Sequence, residues 1–301
     1  MSMTKKLEHL TKACLPPAGA RLAKRMSVGT RYRSQLAACR AGYRDFGDRY
    51  PQTTLFVAGL PKSGTTWLEK MIASYEGFHE LMIPEVARYE MRTGGSHDYD
   101  LPTDMFERFN DALVLTKMHV HGSEHNASLL KRAGVRYVVL FRDLRDVAVS
   151  NYFYVRNTPW HPEHTIYKNT ELSDGLRLFA ERTLKDYSDW IYSWDRNRDP
   201  ERSVVVRYED LLADDAGVLR EIAKLFELDA SDETVERITK ANSFDAMSGG
   251  RSQGQANESA FARKGVAGDW QNHFNDELKT LYKDVIGQTL MDFGYEQSLD
   301  W

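Results

Sequence analysis

Lys62, Ser63, Thr65 and Thr66, spaced by Gly64 in the run Leu60-Pro61-Lys62-Ser63-Gly64-Thr65-Thr66-Trp67, are the side chains of this sequence best suited to hold an anion. They follow the apolar segment Leu55-Phe56-Val57-Ala58-Gly59 and precede Trp67-Leu68-Glu69-Lys70-Met71-Ile72, an order that reads as strand, tight loop and helix. Such a junction points backbone N–H groups and a helix N-terminus at one spot. Lys62 adds a charge and the threonines add hydroxyl donors, so the expected guest is a phosphate or a group shaped like one.

Gly59 and Gly64 have the separation of the two glycines in the Walker A loop, G-x-x-x-x-G-K-[ST], but Thr65 stands where that motif has Lys. The cation is Lys62, inside the loop. That position moves the charge toward the bridging region of a bound anion and leaves no ordinary Lys-plus-Mg²⁺ arrangement for a triphosphate.

Three further groups carry chemistry. Lys117, His119 and His121 alternate along Leu113-Val114-Leu115-Thr116-Lys117-Met118-His119-Val120-His121 and share one side if the segment stays extended. A histidine titrating near neutrality suits removal of a proton from a hydroxyl, and the spacing leaves His119 and His121 both open as that base. Arg142-Asp143-Leu144-Arg145-Asp146-Val147-Ala148-Val149-Ser150 follows Phe141 as the start of a capped helix. The planar fork of Arg142 can pair with two phosphate oxygens, whereas Arg145 is expected to form ion pairs on the helix surface. Phe261-Ala262-Arg263-Lys264-Gly265-Val266-Ala267-Gly268-Asp269-Trp270 sets two cations beside glycines, behind the small polar stretch 248–255, as in a lid that closes on a ligand.

The elements that must position these groups read as repeated strand, loop and helix. Strands are expected at 55–59, 112–117, 136–141 and 203–208, with continuous hydrophobicity that suits a parallel sheet covered on both faces. Amphipathic helices are expected at 179–196 and 216–226. This is a P-loop-like, doubly wound α/β plan, a parallel sheet flanked by helices with ligands at the C-terminal ends of its strands. Residues 77–109 and 157–173 read as long loops. Residues 82–109, 155–170 and 245–262 are expected to shape a partly apolar acceptor pocket.

The segment P-K-S-G-T-T-W-L closely resembles the 5′-phosphosulfate loop of the cytosolic sulfotransferases, which use 3′-phosphoadenosine 5′-phosphosulfate (PAPS). Lys117-Met118-His119 resembles the family's K-T-H motif with Met118 in place of Thr, and the family's general base then maps to His119. Arg142 to Ser150 resembles the 3′-phosphate motif R-x-x-x-D-V-A-V-S, which gives Arg142 and Ser150 to that phosphate. Arg263 to Trp270 resembles R-K-G-x-x-G-D-W, which gives Arg263, Lys264 and the N–H of Gly265 to the same group. Tyr208 and Phe244 match positions that line the nucleotide, and Trp67 is the candidate to stack on adenine. The resemblance runs from residue 55 to residue 274, but the chain lacks the K-x-x-x-T-V-x-x-x-E pattern that follows in dimeric animal members.

The resemblance implies transfer of a sulfonyl group from PAPS to a hydroxyl, or less favourably an amine, of a small acceptor, with adenosine 3′,5′-bisphosphate (PAP) leaving and no metal expected. His119 would take the acceptor proton, Lys62 would neutralise the bridging oxygen, and Lys117 would hold the sulfonate oxygens. The alternatives are a P-loop kinase of small molecules and a catalytically inactive PAPS-binding regulatory protein. Composition fits a globular chain, with 42% hydrophobic and 28% charged residues in 301. A net charge of −4 gives no global attraction for nucleic acid. Cys14 and Cys39 make no disulfide framework, and the first residues lack a signal-type apolar run, so a cytoplasmic protein is expected. Residues 1–45 read as a basic helical extension, with Lys5, Lys6, Arg21, Lys24 and Arg25 able to touch an anionic membrane surface, and 46–301 as one domain; oligomeric state stays open.

Overall fold

The computed structural model describes residues 16–93, 95–258, 260 and 263–301. Cys14, Lys5, Lys6, Phe261 and Ala262 lie outside them. At the centre is β1 (Thr54–Gly59), buried along its whole length. Around it, β2 (His79–Glu80), β3 (Val114–Met118), β4 (Tyr137–Phe141) and β5 (Ser203–Arg207) complete a parallel sheet of order β2-β3-β1-β4-β5. Successive β1 side chains serve opposite faces: Phe56 and Ala58 join one apolar core with Trp190 and Trp194, while Leu55 and Val57 join the other with Leu68 and Ile222.

From β1 the chain goes to the edge strand β2, returns inward to β3, and then passes β1 to β4 and β5, so the direction of winding reverses between β3 and β1. A crevice at such a switch point is where open α/β sheets bind ligands. The register makes this concrete. Val57 pairs with Lys117 and Ala58 with Met118 on one flank, and Gly59 pairs with Leu140 on the other. The loops that follow β1, β3 and β4 therefore leave the sheet side by side.

Four strands lie within two residues of their expected bounds, and β2 is added at the edge. The expected loop 77–109 also contains a helix, Pro84–Thr93. The expected helix 179–196 is the middle of a longer run: Leu172–Phe179 passes through a π-turn at Ala180–Leu184 into Lys185–Asn197.

Helix α1 (Pro17–Phe46) closes the sheet edge beside β2. The Cys39 carbonyl accepts the Leu113 N–H at 3.0 Å, and Gln35 Oε1 accepts the Met82 N–H at 3.0 Å. At Gly42 the helix touches the chain so closely that a Cβ would lie 2.0 Å from the Gly77 carbonyl oxygen. Covering the edge in this way removes a template for unwanted strand pairing.

Arg145 corrects its sequence reading. It does form ion pairs, with Asp143 at 2.7 Å and Glu296 at 2.5 Å, but it is 2% exposed rather than on the helix surface. Its guanidinium lies between Trp270, 3.9 Å from the ring centroid, and Trp301, at 4.4 Å. A buried cation held this fully ties the helix after β4 to both the 263–270 loop and the C-terminal residues. Replacing Arg145 with Met leaves Asp143 buried without its partner, so the variant should lose about 3–5 kcal/mol of stability. Urea unfolding followed by circular dichroism measures this, and an unchanged midpoint would contradict it.

Candidate active site

The C-terminal ends of β1, β3 and β4 open onto a cavity of about 280 Å³. Lys62 and Gly64 line it from the first loop and Thr65, Thr66 and Trp67 from the helix it starts, Lys117 from the end of β3 and His119 from the second loop, and Arg142 from the third loop with Ser150 on the helix after it. Tyr208, Phe244, Arg263, Lys264 and Gly265 complete the wall. Ser63, which is fully buried, and His121 are not on the lining, and the expected pocket segments 82–109 and 155–170 contribute no residue to it.

The first loop turns on two left-handed residues, Lys62 at φ 66° and Gly64 at φ 82°. For Gly64 this conformation carries no steric cost, whereas for Lys62 it is strained. A Cβ at Gly64 would also meet the Tyr208 ring at 2.7 Å. Gly64 then starts the helix Thr65–Ile72, whose first N–H groups receive no side-chain cap. Lys62 Nζ lies 3.9 Å from the centroid of the Tyr154 ring. Burial, then the charges of Arg142 and Lys117, pull its pKa down to about 7.

At the end of β3, Lys117 pairs with Glu69 at 3.3 Å. His119 donates Nδ1–H to the Gly59 carbonyl, which leaves the Nε2 lone pair available. Burial, with the neighbouring His97 and Lys117, depresses the His119 pKa to about 3, so the ring is neutral. His121 departs from the shared-side expectation. Its Nε2 meets Asp186 at 3.1 Å, away from the cavity, because β3 ends at Met118 and the next residues bond to other partners. The Trp190 indole donates to the His119 carbonyl at 2.7 Å, the Trp194 indole to Val120 at 3.1 Å, and the His121 N–H to His97 at 3.0 Å.

The third loop and the 263–270 segment are joined by carboxylates. Asp146 accepts from Arg142 at 2.9 Å, from the Gly268 N–H at 2.7 Å and from the Trp270 N–H at 2.9 Å. Asp269 bonds to Arg263, to Lys264 at 2.5 Å and to Asn272 at 3.0 Å. Burial alone would raise the Asp269 pKa, but its bonds to Lys264 and Arg263 outweigh that and hold it well below the usual range. Sequence reasoning missed Asp146 and Asp269 as organisers, although both lie inside the quoted motifs. Tyr154 was missed as well, and only its place on the apolar helix Leu144–Arg156 marked it.

The Sulfotransferase domain family matches residues 52–294. The chain belongs to the sulfotransferase family. It is 24% identical over 274 residues to Sulfotransferase 1B1 of Canis lupus familiaris, covering 80% of this chain and 86% of that one. With Sulfotransferase 1E1 of Homo sapiens it shares 25% identity over 277 residues, with coverage of 80% and 86%. Among solved structures, mouse sulfotransferase SULT7A1 complexed with PAP aligns with TM-score 0.62 at 20% identity over 83% of this chain and 90% of that one. Retinol dehydratase with retinol and PAP aligns with TM-score 0.56 at 22% identity, over 84% and 86%.

For this sulfotransferase, the donor set suits an adenosine nucleotide with anionic groups at both ends. Ser63 Oγ, Trp67 Nε1 and Arg142 Nε are buried and have no hydrogen-bond partner among the described residues. Unmet donors at a helix N-terminus and on a guanidinium are what an incoming phosphate satisfies. Lys62 gives the sulfotransferase a readable pH dependence. Below pH 7 it already carries its charge, and above pH 7 an anion must bring a proton with it. Relative to Lys62→Met, which shares the ionisation of the PAP phosphates, binding of PAP should take up close to one additional proton at pH 8 and almost no additional proton at pH 6, with affinity falling by up to about tenfold per pH unit above 7. Calorimetry in buffers of different ionisation enthalpy measures the uptake in each protein, and equal uptake in both would contradict the assignment.

Proposed function

We propose that this sulfotransferase moves the sulfonyl group of PAPS onto a hydroxyl of a small acceptor, with His119 as the general base. The observation that carries the reading is the bond from His119 Nδ1–H to the Gly59 carbonyl, made where Lys62 and Lys117 share the same cavity. The carbonyl fixes the tautomer, and Nε2 is left to accept the acceptor proton as oxygen attacks sulfur. Lys62 neutralises charge on the bridging oxygen as the S–O bond breaks, and Lys117 holds the equatorial sulfonate oxygens.

Arg142, Ser150, Arg263, Lys264 and the Gly265 N–H bind the 3′-phosphate, the first loop from Lys62 to Thr66 binds the 5′ end, and Trp67, Tyr208 and Phe244 flank the base. The PAP complexes among the solved neighbours support this nucleotide. A hydroxyl is favoured over an amine because a protonated amine beside His119 would face the charges of Lys62 and Lys117. Around His119 the near side chains are aromatic with polar edges. The His97 ring lies 5.6 Å from that of His119 and 5.7 Å from that of Tyr187, and Tyr154 lies 5.9 Å from His161. Of these rings His119 and Tyr154 line the cavity, which supports a flat acceptor of mixed polarity, such as a phenol.

Incubation with PAPS and a panel of phenols, alcohols and amines should give sulfated product, and product formed only with ATP would overturn the reading. His119→Ala should lower kcat by about 10²–10⁴-fold while PAP affinity changes less than about threefold. Activity retained within tenfold would take the base role away from His119.

A further inference from the structure

His119 can take a proton but has no evident means of passing it on. Its Nδ1–H is committed to the Gly59 carbonyl, its charged neighbours are Lys62 and Lys117, and no carboxylate bonds to it among the described residues. An imidazolium formed there stands among cations until the proton leaves. The His97 ring meets the His119 ring edge-on at 5.6 Å and 76°.

His97 is 7% exposed, and its Nδ1 is buried without a hydrogen bond. That nitrogen lies 3.9 Å from Asp186 Oδ2. The other Asp186 oxygen meets His121, and the Asp186 side chain is 41% exposed at the start of the helix Lys185–Asn197. A carboxylate in contact with solvent thus lies beside a buried imidazole whose ring packs against that of the base. Tyr187 packs on His97, and the electrostatic neighbours of this group include Glu90, on the Pro84–Thr93 helix, and Asp98.

We propose that His97 and Asp186 are the proton exit of this active site. The inference rests on the reading of His119 as the base. The acceptor O–H bond breaks as an N–H bond forms at His119 Nε2; that bond then breaks as one forms at a ring nitrogen of His97, and Asp186 stabilises the resulting imidazolium before the proton passes to water. No electrons change hands, and His119 returns to its neutral tautomer. His97 and Asp186 act through His119, so they are positioning and proton-handling residues rather than groups that touch sulfur.

The test uses the full chain with PAPS and the fastest acceptor from the panel. His97→Gln and Asp186→Asn should each lower kcat by about 10–100-fold. Calorimetric affinity for PAP should stay within about threefold in both. In His97→Ala, added imidazole should restore turnover in proportion to its neutral form, a response that a structural role would not produce. His121→Gln, which removes the other partner of Asp186, should leave kcat within twofold. The proposal is overturned by near-normal kcat in His97→Gln and Asp186→Asn, by a fall in kcat matched by loss of PAP binding, by absence of imidazole rescue, or by His121→Gln reproducing the Asp186→Asn defect. Retained activity in His119→Ala would instead remove the base assignment, a separate failure seen in a separate variant.

Discussion

Gathering five cations into one cavity is the constraint to which much of this structure responds. Lys62, Lys117, Arg142, Arg263 and Lys264 all line the same space in a chain whose net charge is −4. Like charges at this density repel, and burial sharpens the repulsion. The fold answers with carboxylates anchored elsewhere: Glu69 on Lys117, Asp146 on Arg142, and Asp269 on both Arg263 and Lys264. Lys62 is treated differently. Its charge rests on the face of Tyr154, and its pKa falls to about 7.

The carboxylates also do the work of assembly. Asp146 sits on the helix that follows β4, yet two of its three bonds go to backbone N–H groups more than a hundred residues later. Those bonds fix the segment carrying Arg263, Lys264 and Gly265 against the central sheet. The Arg142 guanidinium adds a bond to the Val266 carbonyl at 2.8 Å. Beneath them Arg145 supports Trp270 from below through its guanidinium face. The Gly268 and Trp270 N–H groups and the Val266 carbonyl of this segment are thereby satisfied by Asp146 and Arg142.

Much of this was legible in the sequence, for a physical reason. β1, β3 and β4 are buried on both faces, so they appear as continuous apolar runs, and a parallel sheet forces chemistry to the loops that follow them. Even Met118 in place of Thr is explained by alternation: it joins the core with Phe56 while Lys117 and His119 reach the cavity. What could not be read depends on contacts distant in sequence. β2 has two residues, too few for a period, and exists because Leu113 and Leu115 offer carbonyls to His79 and Leu81. Arg145 looked like a surface residue because its aromatic partners lie 125 and 156 positions downstream. His121 looked equivalent to His119 because alternation holds only while β3 lasts.

Tyr208 shows why the two ends of the nucleotide site cannot be treated as separate grips. Its ring occupies the space a Cβ would need at Gly64, stands edge-on to Trp67 at 6.3 Å and lies under the Arg142 guanidinium at 4.2 Å. One side chain thus touches the loop after β1, the aromatic of its helix and the arginine after β4. Gly265 repeats the device: a Cβ there would lie 2.4 Å from the Phe244 ring. Each glycine stands where an aromatic ring presses directly on the loop backbone. A shift of either ring must therefore displace the backbone of the loop it touches.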